Sequence, residues 1–211
     1  MLRSWVNDVT PPSFQLLTTR VSAGRPTLVF QTLDSQSGVD PFSLTIGYAG
    51  VLVAAGAYDP DSGIAVFPLP EAVPVIRTGS PRLRFLSSDY QETKNIDTIG
   101  PSIMPNTHTG VVKLRVVSGA AVDWLAPAPA ACLQARETLL VAASAPRRIV
   151  RVRFAVDGKR VAVVRHGNQG LWDATMSTRK LTRGRHTITV VAATGKGRAA
   201  SARREVRVCR G

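Results

Sequence analysis

The chain has little of what enzymes and metalloproteins are usually built from. It carries 2 cysteines and 3 histidines in 211 residues. Neither cysteine lies in a Cys-x-x-Cys pair or a Cys/His cluster, which argues against a metal site. There is no Gly-x-Ser-x-Gly, no phosphate-cradling glycine loop, no His-Glu-x-x-His and no pair of carboxylates placed for acid–base work. His108, His166 and His186 stand apart, without ligand spacing or a neighbouring nucleophile, so an enzyme in its own right is not expected. Aromatic residues are 6% of the chain. The basic residues are not interleaved with rings on which bases stack, so nucleic acid is not an expected partner. No run of about 18 apolar residues occurs, and no membrane-spanning helix is expected. Residues 1–8 lack the apolar stretch of a signal peptide. No apolar period of 3.6 residues persists for three turns, so a helical fold is not expected either.

Positive charge is abundant and unevenly placed. The chain has 27 Lys and Arg against 14 Asp and Glu, a formal net charge of +13. Up to Cys132 there are 9 basic and 10 acidic residues; from Leu133 onward there are 18 and 4. A basic second half, able to attract a polyanion, follows a near-neutral first half.

Residues 150–164 set the fold class. Asp157-Gly158 lies between two apolar-alternating runs, the pattern of a type I′ hairpin. Val150, Val152, Phe154 and Val156 fall on one face, Arg151, Arg153 and Ala155 on the other. Short strands of this kind are expected at 14–18, 25–33, 43–48, 51–54, 64–67, 82–88 and 111–117. The second half repeats them at 138–143, 150–164, 170–174, 186–192 and 205–208. Strands with turn signals every 8–12 residues predict an all-β sandwich. The core is expected to include Leu28, Phe30, Ile46, Phe85, Val152, Phe154, Ile188 and Val190. Gly50, Gly63 and Gly79 recur as Gly158, Gly170 and Gly184, a spacing of about 106 residues that marks two copies of one unit. Pro11-Pro12 and Pro127 follow Trp5 and Trp124, which suggests that a linker recurs too, Trp5 being the tail of a preceding module.

Arg151 to Lys159, Gly170-Leu-Trp172 and Gly184 to Ala193 resemble the bacterial immunoglobulin-like domains found in tandem on large secreted proteins. Asp8-Val-Thr-Pro-Pro12 is similar to their interdomain linker, and Ser37 to Pro41 with Leu83 to Asn95 to a more divergent copy. The resemblance implies two tandem antiparallel Ig-like β-sandwiches. Residues 1–12 are then a linker, 13–118 the first domain, 119–131 a second linker and 132–211 the second domain. It also implies that loops meet at one end of the first domain near Asp8. Of Asp34, Asp40, Asp59, Asp61, Asp89 and Glu92, the set Asp8, Asp34 and Asp89 is the candidate for calcium, which takes six to eight oxygens. The same residue types also make ordinary turns and caps. Thr194 stands where the family usually has an acidic residue after the Ala-Ala of the sixth strand. His186 is expected to pack or hydrogen-bond.

Cys132 and Cys209 are expected to be bonded, joining the ends of the second domain at its periphery, because Val206 and Val208 claim the core face. The third, sixth and seventh strands of an Ig-like sandwich share a sheet. Arg151, Arg153, Arg185 and Arg207 are therefore expected on one solvated face, with Lys159, Arg160 and Arg165 nearby. Such a face either binds carboxylate, sulfate or phosphate or keeps the sheet soluble and unpaired. The expected function is a non-catalytic, secreted or cell-surface module pair that spaces or anchors other domains of the same polypeptide. The alternative is a binding module for acidic polysaccharide or cell-wall polymer.

Overall fold

The computed structural model describes residues 8–90 and 105–209; Trp5 and Glu92 lie outside these. In the first half the strands are β1 (Ser13–Leu16), β2 (Arg20–Ser22), β3 (Thr27–Leu33), β4 (Thr45–Tyr48), β5 (Val51–Ala54), β6 (Ala57–Asp59), β7 (Ile64–Pro68), β8 (Arg82–Ser88), β9 (Thr107–Lys113) and β10 (Arg115–Val117). In the second they are β11 (Ala121–Ala126), β12 (Arg136–Ser144), β13 (Ile149–Val156), β14 (Lys159–Val164), β15 (Leu171–Ser177), β16 (Gly184–Thr194) and β17 (Gly197–Val208). Among the described residues the one helical turn is Pro41–Ser43. The chain is all-β, as its alternation predicts.

The described residues fall into two compact units. One comprises 8–16, 28–74, 82–90 and 105–113; the other comprises 17–27, 75–81 and 114–209. The first is a sandwich of sheets β1-β3-β7-β6 and β5-β4-β8-β9. Its core is aromatic: the rings of Phe30 and Phe85, one from each sheet, stack at 4.5 Å. Phe14 lies 4.5 Å from Phe85 and covers Gly110, where a Cβ would meet its ring.

The second unit packs sheet β11-β12-β15 against sheet β14-β13-β16-β17, around Trp124, Leu139, Val141, Val152, Phe154, Ile188 and Val190. All eight core residues expected from the sequence are fully buried. The short strands β2 and β10 pair in parallel and belong to this unit. The Ser22 amide donates to Ser144 Oγ at 2.8 Å and the Arg20 amide to Asp123 Oδ2 at 2.9 Å. The glycine repeat has a backbone basis. Gly79 and Gly184 share φ 134°, while Gly50 and Gly158 take 82° and 78°. Ala49 and Asp157 before the latter pair are left-handed too, at 50° and 46°, the two positive angles of a type I′ turn.

Some boundaries differ from expectation. Residues 121–126, expected within a linker, form β11 and pair with β12. A bulge between Trp124 and Ala126 breaks the alternation there, and the following prolines disguise the strand as a connector. β17 begins at Gly197 rather than near Glu205; its inward residues there, Ala200 and Ala202, give too little apolar contrast to mark a strand in the sequence. Cys132 and Cys209 are bonded, with Cα atoms 5.4 Å apart. The Leu133 amide donates to the Arg207 carbonyl and the Arg207 amide to that of Ala131. β17 ends at Val208, so Cys209 is exposed and the bond lies at the rim, as the alternation implies.

His186 pins the Asp157-Gly158 turn. The ring is buried, with Nδ1 2.6 Å from Asp157 Oδ2 and Nε2 2.8 Å from the Thr182 carbonyl. Both partners accept, so the ring satisfies both only as imidazolium. The Asp157 hydrogen bond, with that of the Thr182 carbonyl, raises the His186 pKa above its ordinary 6.5. The bond from His186, with that from the Thr187 amide, lowers the Asp157 pKa.

Two outcomes follow. Replacing Gly110 with Ala should cost about 1–3 kcal/mol, because the new methyl displaces Phe14; chemical denaturation measures it, and an unchanged midpoint would contradict this packing. The stabilisation from His186 is complete below its unfolded pKa and is lost as pH rises through the raised folded value. Thermal stability should therefore fall between about pH 6 and pH 8 more steeply in the parent chain than in His186→Asn. Equal slopes would show that the ring is not charged.

Candidate functional site

The candidate face is the outer side of sheet β14-β13-β16-β17. Inward Val152, Phe154 and Val156 of β13 leave Arg151 and Arg153 exposed on the other side. On β16, inward His186, Ile188 and Val190 leave Arg185, Thr187, Thr189 and Val191 outward, and on β17 inward Val206 and Val208 leave Arg203, Glu205 and Arg207. Three of the expected residues, Arg151, Arg153 and Arg160, meet around a shallow depression of about 180 Å³ with Val163, Val191 and Ala193.

The two-residue turn sets Arg160 on this face: Val156 pairs with Lys159 and Ala155 with Arg160. Beyond it a β-bulge intervenes, since Phe154 pairs with Ala162 and Val161 is an extra residue. An unbroken ladder would have paired Arg153 with Ala162 and turned Val163 towards the core. The bulge re-aims Val163 outward, opposite Arg153, a recurrent use of bulges. Among the described residues no acidic side chain is within salt-bridge distance of Arg151, Arg153 or Arg160.

The other expected residues do not join them. Arg185 and Arg207 are direct cross-strand partners. They lie at the far end of β16, Arg185 being six positions, about 20 Å, from Val191. Glu205, opposite Thr187, stands between the two groups. Lys159 pairs with Val156 beside the turn, on the opposite side of the sheet from Arg153, and Arg165 follows the end of β14. The single convergent face is thereby corrected to two arginine groups, since alternation fixes a side of a sheet but not a distance along it. Arg203, which pairs with Thr189, is an outward residue that sequence reading missed. Continuing the alternation back from Val208 finds it. Its neighbour Arg204 has a structural role: the guanidinium donates to the carbonyls of Pro127 and Trp124. Burial lowers the pKa of Arg204 and raises that of the nearby Asp123 carboxyl.

The carboxylates of Asp8, Asp34 and Asp89 come together in the first unit, each offering an oxygen within 4.8 Å of the others. These are the groups that would hold a calcium ion at this end. They also accept local donors: Asp8 takes the Thr10 amide and both the hydroxyl and the amide of Ser37, and the Ser37 hydroxyl foremost lowers its pKa. Asp34 takes the amides of Gln36 and Gly38, and Asp89 takes the amide and the side-chain Nδ2 of Asn106. Asp40 and Asp59 stay outside this group and cap their own turns. His108 Nδ1 meets the Pro12 carbonyl at 2.8 Å, and His166 is exposed beyond β14.

No curated protein matches the chain. Among solved structures it is similar to the fibronectin(III)-like modules of Clostridium thermocellum CbhA, at 15% identity and a TM-score of 0.34 over 93% of this chain and 94% of that one. It is similar also to latent PorU from Porphyromonas gingivalis, at 17% identity and a TM-score of 0.49, over 97% of this chain and 21% of that one. A third similar structure is the Bacteroides ovatus protein SGBP-B in complex with a mixed-linkage heptasaccharide, at 15% identity and a TM-score of 0.32, over 98% of this chain and 45% of that one. At such scores these likenesses carry no functional argument. The sequence speaks more directly: residues 121–190 match the family model described as a bacterial Ig domain, so the second sandwich carries that family's signature along with an Ig-like fold.

Proposed function

We propose that the chain is a non-catalytic, extracellular pair of Ig-like modules that spaces, anchors or accompanies other domains of a larger secreted protein. The observation that supports this most is the Cys132–Cys209 bond, which lies at the exposed rim. A disulfide so accessible persists in an oxidising compartment and is rare in a reducing one. Ig-like sandwiches also serve many cell-surface proteins as repeated structural units.

A second reading is favoured by one feature of the surface. Arg151, Arg153 and Arg160 line a depression and, among the described residues, have no acidic side chain within salt-bridge distance, which supports a binding module for acidic polysaccharide or cell-wall polymer. In that reading the second half of the chain does the binding and the near-neutral first half carries it.

The primary reading is tested by where the chain resides and in what redox state. Antibody labelling of intact producing cells and of their medium should find it outside. Alkylation without reductant should then modify neither cysteine. A chain confined to the cytoplasm with two reactive thiols would contradict the proposal.

A further inference from the structure

We propose that Arg151, Arg153 and Arg160 form a subsite for one carboxylated sugar unit of an acidic polysaccharide. The proposal rests on the second reading above and narrows it from a whole face to one depression. Its size is the first argument. At about 180 Å³ the depression is smaller than the ~300–1,000 Å³ of a drug-sized pocket, and suits a single ring better than a longer oligomer segment.

The lining gives the chemistry. Val163 and Val191, the cross-strand partners of Arg153 on its two sides, are partly exposed aliphatic side chains, and Ala193 lies opposite Arg151. An aliphatic floor takes the C–H side of a sugar ring, and the arginines around it take its charge. A guanidinium offers two parallel N–H donors, a geometry matched to the two coplanar oxygens of a carboxylate. Arg151 and Arg153 are two positions apart on one side of β13, about 7 Å along the strand, so both forks reach one small anion. The outward positions of this sheet carry no aromatic ring. Base stacking, which single-stranded nucleic acid binding needs, has no platform here.

The bulge in β14 shapes the same depression. The turn sets Arg160 outward opposite Ala155, and the extra residue Val161 then brings Val163 outward opposite Arg153, where an unbroken ladder would put Ala162. The third cation and the larger aliphatic side chain thus come to one side of the sheet. Arg185 and Arg207, equally exposed and on the same sheet, have Glu205 as a neighbour. They provide an internal control of equal charge.

The test is retention of the full chain on immobilised polygalacturonate. Binding should weaken steeply with salt, and free galacturonate should displace the chain where galactose does not. Arg151→Ser with Arg153→Ser should weaken binding at least tenfold, by roughly the loss of one charge-assisted pair. Arg160→Ser alone should weaken it severalfold. Arg185→Ser with Arg207→Ser removes the same charge and should change binding less than about twofold. All these side chains are exposed, and an unchanged circular dichroism spectrum and melting curve will show that each variant is folded. Equal losses in the two double variants would overturn the subsite while leaving a diffuse basic face. Absence of retention by the parent chain would overturn both the subsite and the second reading. Stronger retention on poly(dT) or on heparin than on polygalacturonate would overturn the assignment to carboxylated sugar.

Discussion

The second sandwich depends on β13 burying one side against a core while the other meets water. Val152, Phe154 and Val156 are each at or below 3% exposed, and burying such side chains fully is worth about 1.5–3 kcal/mol apiece. A one-residue slip would send all three to solvent and bring Arg151 and Arg153 inward. Register is therefore fixed by a penalty much larger than any single surface interaction. The positions of β14 and β16 on either side, and of the residues that face water, follow from that register.

The turn after β13 carries the same constraint forward. Asp157 adopts a left-handed backbone that L residues visit seldom, though Asp and Asn more than most. Its carboxylate meets the His186 ring and the Thr187 amide, so one residue both closes the hairpin and joins it to β16. The corresponding Ala49 of the first half makes the turn without such a side chain. The two copies share backbone geometry while only the second has the charged pin, in keeping with the divergence of their sequences.

Much of this was legible in the sequence because it depends on alternation and turn chemistry. The eight core residues, the Asp-Gly turn, the rim position of the disulfide and the outward Arg151 and Arg153 all follow from those two rules. What alternation could not show was distance and irregularity. It put Arg185 and Arg207 on the correct side of the sheet but did not reveal that they stand far from Arg153 along the strands. Bulges have no reliable local signal, so the turn of Val163 outward and the broken pairing of β11 were invisible. The alanines of β17 gave too little hydrophobic contrast to mark a strand. The meeting of Asp8, Asp34 and Asp89 was anticipated through the family resemblance, since their loops are distant in sequence and adjoin only once the sandwich forms.

The bulge at Val161 is where β14 departs from simple alternation, and it brings Val163 to the candidate site beside Arg153. The most direct measurement is the pattern of interstrand nuclear Overhauser effects across β13 and β14 in the folded chain. The register described here gives cross-strand contacts from Ala155 to Arg160 and from Phe154 to Ala162, with Val161 opposite no residue of its own. A regular ladder pairing Phe154 with Val161 and Arg153 with Ala162 would turn Val163 to the core side of the sheet and contradict the account.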